Sequence, residues 1–336
     1  MSPRQHGLQA VLGPLSRAAV FTVATVRPGA AARDAVRALC GDLPALLRTV
    51  GFRSMDGRLS CVLGFGADAW DRLFDLPRPA MLRPMPEVRG VHYAPSTPGD
   101  LLLHLRAERM DLCFELAALV MERLSGALAA VDEVHGFRYF DARDLLGFVD
   151  GTENPDDEDL AAASVLVGEE DPVFAGGSYV TVQKYVHDLT AWNALPVEHQ
   201  ERVIGRTKLG NVELDDQTKP PWAHNALTVI EEDGRELKIL RDNMPFGNAA
   251  AGEFGTYFIG YSRTPDTIDR MMTNMFAGDP PGTYDRILDF STALTGSSYF
   301  VPAPALLDRL AEAAEETEET GAGALEIGSL KGVPQT

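Results

Sequence analysis

Apolar and polar positions alternate in short blocks along the chain, and the blocks repeat in kind. Ala18–Val26 (AAVFTVATV) is β-branched and apolar and predicts a buried strand. From Ala30 to Val50 the apolar positions fall at helical spacing, with Val36, Leu39, Cys40, Leu43, Leu46 and Leu47 in one stripe. Leu59–Gly66 predicts a second strand, Ala67–Phe74 a short helix, and the proline-rich stretch Pro77–Pro98 an irregular connection. Asp100–Arg106 predicts a strand, Asp111–Leu124 a helix, and Ala127–Tyr139 a further strand. After a loop, Ser178–His187 alternates as a strand, and Leu189–Ile204 is helical with a break near Pro196. Asn225–Ile230 and Leu237–Arg241 flank Glu231-Glu232-Asp233-Gly234, whose Asp-Gly marks a hairpin. Phe254–Tyr261 predicts a strand, Pro265–Phe276 and Tyr284–Leu294 helices, and Ser298–Val301 a last strand. A similar mix of strands and helices thus occurs twice. The prediction is an α+β chain of two duplicated ferredoxin-like halves with antiparallel sheets and peripheral helices. The halves are expected at residues 1–146 and 147–310, with residues 311–336 a separate linker and tail.

Composition narrows the function. The chain has 336 residues, enough to enclose a sizeable core or cofactor. Its 30 basic and 49 acidic residues give a net charge of −19, which repels phosphate backbones and argues against a nucleic-acid partner. No apolar run approaches the roughly 20 residues that span a bilayer, so neither a membrane partner nor export is expected, and the cytoplasm is the expected compartment. Cys40, Cys61 and Cys113 form no C-x-x-C pair and are read as small core residues.

Three segments carry candidate chemistry. The first is Gly147-Phe148-Val149-Asp150-Gly151-Thr152-Glu153-Asn154-Pro155. Its glycines permit close approach of a flat ligand, and its apolar Phe-Val pair sets Asp150 beside core. Asp150 is otherwise a local turn cap. The second is His224, in a sequence with no H-E-x-x-H and no second histidine at i+4, so a mononuclear zinc site is poorly supported. One axial histidine suffices for haem iron; a lone histidine is otherwise a structural one. The third is Ile239-Leu240-Arg241-Asp242-Asn243-Met244-Pro245-Phe246-Gly247, read either as a pocket wall or as a surface ion pair with Arg241.

Taken in order, GFVDGTENP, His224 after Gly205-Arg206-Thr207-Lys208, and ILRDNMPFG resemble the dye-decolorizing peroxidase family, in its shorter bacterial branch. The resemblance covers about residues 10–310. It implies the dimeric α+β barrel type of fold and one non-covalent haem b. It also implies oxidation of dyes, phenolics or similar reductants by hydrogen peroxide through a high-valent iron-oxo intermediate. By motif match His224 is the proximal iron ligand, Asp150 the distal acid and Arg241 the distal cation. Asn243 joins the distal hydrogen bonds, and Gly151 and Thr152 border the cofactor. Asp285 is chosen over Asp289 as acceptor for the His224 Nδ1–H, although Asp285 is also a plausible helix-start charge. Arg206 is read as a propionate partner or a surface charge. A homo-oligomer, dimer or hexamer, is expected. The alternative is a haem-binding protein, or a related haem enzyme acting on porphyrin, without peroxidase turnover.

The tail has its own resemblance. Behind a Glu- and Ala-rich linker and Gly321-Ala322-Gly323-Ala324, the segment Leu325-Glu326-Ile327-Gly328-Ser329-Leu330-Lys331-Gly332 is similar to the cargo-loading peptide of encapsulin shells. Leu325, Ile327 and Leu330 would fill apolar pockets of the shell protein while Gly328 lets the chain bend. The expected location is therefore an encapsulin nanocompartment in the cytoplasm.

Overall fold

The structure, a computed structural model, describes residues 9–311; the linker and the tail motif with Leu325, Ile327, Gly328 and Leu330 lie outside the described residues. The first half contains β1 (Ala18–Val26), α1 (Ala30–Gly51), β2 (Ser60–Phe65), α2 (Ala67–Leu73), β3 (Val88–Arg89), β4 (Tyr93–Ala94), β5 (Leu101–Ala107), α3 (Met110–Arg123) and β6 (Leu128–Phe137). Its four main strands pair antiparallel in the order β2-β5-β1-β6. The second half contains α4 (Glu158–Val165), β7 (Ser178–His187), α5 (Leu189–Asn193), α6 (Val197–Ile204), α7 (His224–Thr228), β8 (Glu231–Glu232), β9 (Arg235–Glu236), β10 (Leu240–Arg241), β11 (Met244–Asn248), β12 (Glu253–Ser262), α8 (Pro265–Ala277), β13 (Ser291–Ala293) and β14 (Ser297–Val301). Here β10 and β11 pair with β12, then follow β7 and β14. Each half therefore has the same ferredoxin-like strand order, second-third-first-fourth. The Phe300–Phe65 pairing of β14 with β2 joins them edge to edge.

β1 is buried on both faces, which explains why it reads as a continuous apolar run. Ala19 and Phe21 face the second half's Val180, Val182, Tyr257 and Ile259 in a core between the sheets. Phe21 stacks on Tyr257 with ring centroids 4.2 Å apart, and on His104 at 4.7 Å. Gly136 of β6 lies so near β11 that an added Cβ would come within 2.4 Å of the Met244 Cβ, so a bare glycine is what permits this approach. On the outer face of the first half, the predicted stripe of α1 packs with Leu112, Leu116 and Val120 of α3 and closes the layer.

The second half is covered differently. Pro196 splits the predicted 189–204 helix into α5 and α6, so that only α8 is a long helix on this face. The hairpin forms where Asp233-Gly234 marks it, both residues at positive φ (50° and 73°), but its strands are two residues each. Asn225, expected in an extended flank, is instead in α7. The predicted helix 284–294 is also absent. A single 3-10 turn, Arg286–Asp289, is followed by β13, which pairs with β7. The Asp285 carboxylate caps the start of this turn by accepting the Ile287 N–H (3.0 Å), and the pairing of Ser291–Ala293 with β7 takes the chain out of it. α4 lies in a stretch read as loop.

Phe21→Ala removes the ring that joins the sheets, and is expected to cost about 3–5 kcal/mol of stability in chemical denaturation; a loss below about 1 kcal/mol would show that the halves are held together elsewhere.

Candidate active site

A cavity lies between α8 and the sheet, with an empty volume of about 1170 Å³ that includes the solvent at its opening. Its helix wall is apolar: Ile268, Met271, Met272 and Met275. Its sheet wall is polar, because Gln183, Tyr185 and His187 recur at period two on the outer face of β7.

His224 starts α7, where the Thr228 hydroxyl donates to its carbonyl (2.9 Å). Its Nδ1 lies 2.7 Å from Oδ2 of Asp285, which is fully buried. A carboxylate only accepts, so Nδ1 carries the proton and Nε2 is left as the lone-pair nitrogen on a cavity-lining ring. The structure thus places Asp285 against His224. Asp289 instead accepts from the Tyr284 hydroxyl (2.9 Å) and pairs with His92 (2.9 Å).

Asp150, Arg241 and Asn243 come together on the sheet side. Asn243 Nδ2 donates to Asp150 Oδ1 (3.2 Å), as does the Gly151 N–H (2.7 Å). Gly151 has φ +73°, a conformation that lets the chain turn back on the Asp150 side chain. Asn243 Oδ1 is itself fixed by the Ile259 N–H (3.0 Å). Asn154 grips Arg241 by both backbone groups: its Nδ2 donates to the Arg241 carbonyl (2.7 Å) and its Oδ1 accepts the Arg241 N–H (2.9 Å). The Arg241 Nε is buried without a hydrogen-bond partner. A donor held beside a cavity in this way fits an anionic or oxygen-bearing guest.

Thr152 and Arg206 also line the cavity. Arg206 is already engaged, donating to Glu153 (2.8 Å) and to the side chain and carbonyl of Asn211 (3.0 Å each). Asp144, at the base of the Gly147–Asn154 loop, is a cavity residue the sequence motifs do not single out. Burial pushes its carboxyl up to about 7, the Phe148 N–H at 2.9 Å acts against this, and the charge of Asp150 adds to it. His187 is held down to about 4 by burial, and hydrogen-bonds Ser291 (2.8 Å) and Thr256 (2.9 Å).

A family model for the N-terminal part of Dyp-type peroxidases matches residues 8–138, and one for the C-terminal part matches residues 141–305. The chain belongs to the Dyp-type peroxidase family. It is 56% identical over 332 residues to a dye-decolorizing peroxidase of Rhodococcus erythropolis, covering 96% of each chain. It superposes on a DypB variant from Rhodococcus jostii RHA1, solved in complex with heme, with a TM-score of 0.88 at 54% identity, covering 90% of this chain and 98% of that one. The cryo-EM structure of the encapsulated DyP-type peroxidase from Mycobacterium smegmatis matches at 59% identity and TM-score 0.87, covering 90% and 97%. The expected peroxidase class and duplicated fold are borne out, and the expected haem agrees with the DypB complex.

Asn154 and Asp144 were missed for different reasons. Asn154 sits inside the quoted motif, and its polar amide two residues after Thr152 was a usable signal. Asp144 shows its partner, the Phe148 N–H, only once the loop closes.

Asp144 gives a pH test in the ligand-free protein. Its folded pKa lies above the unfolded one, so the folded state holds the extra proton and stability falls as pH rises from about 4 to about 7. Asp144→Asn keeps the acceptor for Phe148 and is expected to be about 1–3 kcal/mol more stable than wild type at pH 8, with the gap closing by about pH 4. Parallel denaturation curves at both pH values check this.

Proposed function

We propose that this Dyp-type peroxidase binds one non-covalent haem b in the cavity and uses hydrogen peroxide to oxidise dyes, phenolics or similar reductants. The observation that carries the reading is one cavity bounded by two chemistries. His224, backed by Asp285, lies on its helix side, and Asp150, Asn243 and Arg241 lie on its sheet side. His224 would ligate the iron through Nε2. Gly151, Thr152 and Arg206 would hold the periphery of the group, with Arg206 exchanging Glu153 for a propionate. The open mouth and the adaptable methionines of α8 suit a large planar guest.

Bound haem supplies the iron at which peroxide is activated and the store of oxidising equivalents that reductants discharge. The chain's own groups do the rest. Asp285, accepting the Nδ1 proton, makes the His224 imidazole a stronger donor and fixes its plane. Asp150 has Oδ1 occupied by Asn243 and Gly151. Its Oδ2 takes a proton from one oxygen of hydrogen peroxide and returns it to the other, which leaves as water. The Arg241 guanidinium stabilises the negative charge on the departing oxygen. Asn154 and Asn243 keep both groups in place, so little reorganisation is needed.

The same reading places the enzyme in the cytoplasm, inside an encapsulin shell. It is supported by the Leu325–Leu330 motif behind its linker, and by the encapsulated relative at 59% identity. A tether of this kind raises the local concentration of the docking peptide without constraining the enzyme.

Reconstitution with haem is expected to give a Soret band that responds to one equivalent of hydrogen peroxide and is lost in His224→Ala. A Soret band indifferent to peroxide would favour the haem-carrier alternative, and no band at all would remove the haem reading. Asp150→Ala and Arg241→Leu are each expected to slow the reaction with peroxide by about 10²-fold or more in stopped flow; unchanged rates in both would remove the distal assignment. Truncation after residue 321 is expected to abolish co-purification with the shell protein, and retained loading would refute the tail reading.

A further inference from the structure

The segment that carries Arg241 and Asn243 has a second face. Asp242 points away from the cavity, into the core between the halves, and is 3% exposed. Its Oδ2 accepts from Arg106 Nη1 at 2.8 Å; Arg106 belongs to β5 of the first half and is 2% exposed. A second amino group of Arg106 donates to the Ala10 carbonyl. His104, two residues earlier on the same face of β5, brings Nε2 to 3.9 Å from that Asp242 oxygen. The His104 Nδ1 lies 2.8 Å from the Tyr261 hydroxyl, and Tyr261 is the register partner of Leu240. One strand of the first half therefore holds both strands that frame the distal groups.

A buried ion pair is weak evidence for stability, since well-packed apolar residues often serve as well. Its position is what matters. A slip of one residue in β10 would turn Asp242 into the cavity and send Arg241 and Asn243 into the inter-sheet core. The slip would also leave Arg106 buried beside another cation in place of its carboxylate, which strongly disfavours it. Apolar residues facing each other would give no such discrimination.

We propose that Arg106 is a positioning residue for the peroxidase reaction: through its ion pair with Asp242 it fixes the register that makes Arg241 and Asn243 face the cavity. This rests on the reading of Arg241 as the distal cation.

Cyanide binding to the ferric holoenzyme reads that geometry apart from turnover, because the bound anion is stabilised by the distal groups. Arg106→Met is expected to weaken cyanide affinity by about tenfold or more. It should also slow the reaction with peroxide to a similar degree, while Arg106→Lys, which keeps the charge, stays within about threefold. Arg37 supplies a matched control. It is 1% exposed, donates to the Leu73 carbonyl (2.6 Å) and pairs with Asp75 (2.9 Å), but it lies in the outer helix layer of the first half. Arg37→Met should lower the melting temperature and leave cyanide affinity within about twofold. Wild-type cyanide affinity in Arg106→Met, or an equal weakening in Arg37→Met, would overturn the proposal. If Arg106→Met does not fold, Arg106→Met/Asp242→Asn removes the orphaned charge as well; it must show the same loss, and an unchanged affinity there overturns the proposal too. Arg241→Leu measured alongside separates the two readings. If it weakens cyanide binding while Arg106→Met does not, positioning alone fails; if it has no effect, the distal assignment itself fails.

Discussion

The core between the two sheets is the constraint from which the rest follows. Phe21, Val180, Val182, Tyr257 and Ile259 pack in one core there, the apolar faces of both sheets burying each other. Side chains alternate along a strand, so committing Val180 and Val182 inward commits Gln183, Tyr185 and His187 outward. In the first half the equivalent outer face is apolar and α1 with α3 seals it. In the second half it is polar at Gln183, Tyr185 and His187, and α5, α6 and α7 are short. The same fold unit thus gives a closed layer once and a cavity once, and the difference lies in one face of one strand.

The polar groups around that cavity are mostly prepaid: the fold satisfies them before any guest arrives. Asp285 is wholly buried, yet its two oxygens are taken by His224 and the Ile287 N–H. Asp150 has one oxygen held and Asn243 has both ends held. Leaving such groups unpaired would cost on the order of 1–3 kcal/mol each. Three cavity-lining residues are exceptions: the Arg241 Nε, the Gln183 Nε2 and the Asn225 Oδ1 are buried without partners. Unpaired atoms also occur elsewhere in the interior, among them Thr22 Oγ1, Ser262 Oγ and Tyr299 OH; those of Arg241 and Gln183 differ in bordering a space that a guest can enter.

The sequence made the strands and the chemistry legible to different depths. β1, β5 and β7 are long, strongly patterned runs, and the structure keeps them nearly residue for residue. Residues 284–294 defeat the helical reading because Ser291–Ala293 pair with β7, a partner about a hundred positions earlier, so the turn that Asp285 caps ends after Asp289. Asn225 was read as extended because the hairpin signal at Asp233-Gly234 dominated its neighbourhood, whereas a short helix is what presents His224 from a first turn. Asp150, Arg241 and Asn243 are legible as two motifs, but not as one cluster: the sequence separation of 93 between Asp150 and Asn243 is closed only by the tertiary fold. Arg206 illustrates the converse, since guanidinium chemistry suggested a propionate, and the structure gives that same fork to Glu153 and Asn211.

The two walls of the cavity also differ in stiffness, and the chemistry is divided accordingly. Asn243 is tied to β12 through the Ile259 N–H, Arg241 lies on β10 with its backbone held by the Asn154 side chain, and Asp150 is held by the Asn243 amide and the Gly151 N–H, so displacing any one of them breaks hydrogen bonds. The facing wall of α8 is built from Met271, Met272 and Met275, unbranched side chains whose rotamers adjust to an irregular surface at little cost. A flat guest can therefore settle by rearranging thioethers while Asp150, Arg241 and Asn243 stay where their hydrogen bonds hold them. Reversing the arrangement, with the polar groups on α8 and the methionines on the sheet, would put the groups that need fixed geometry on the element best able to move.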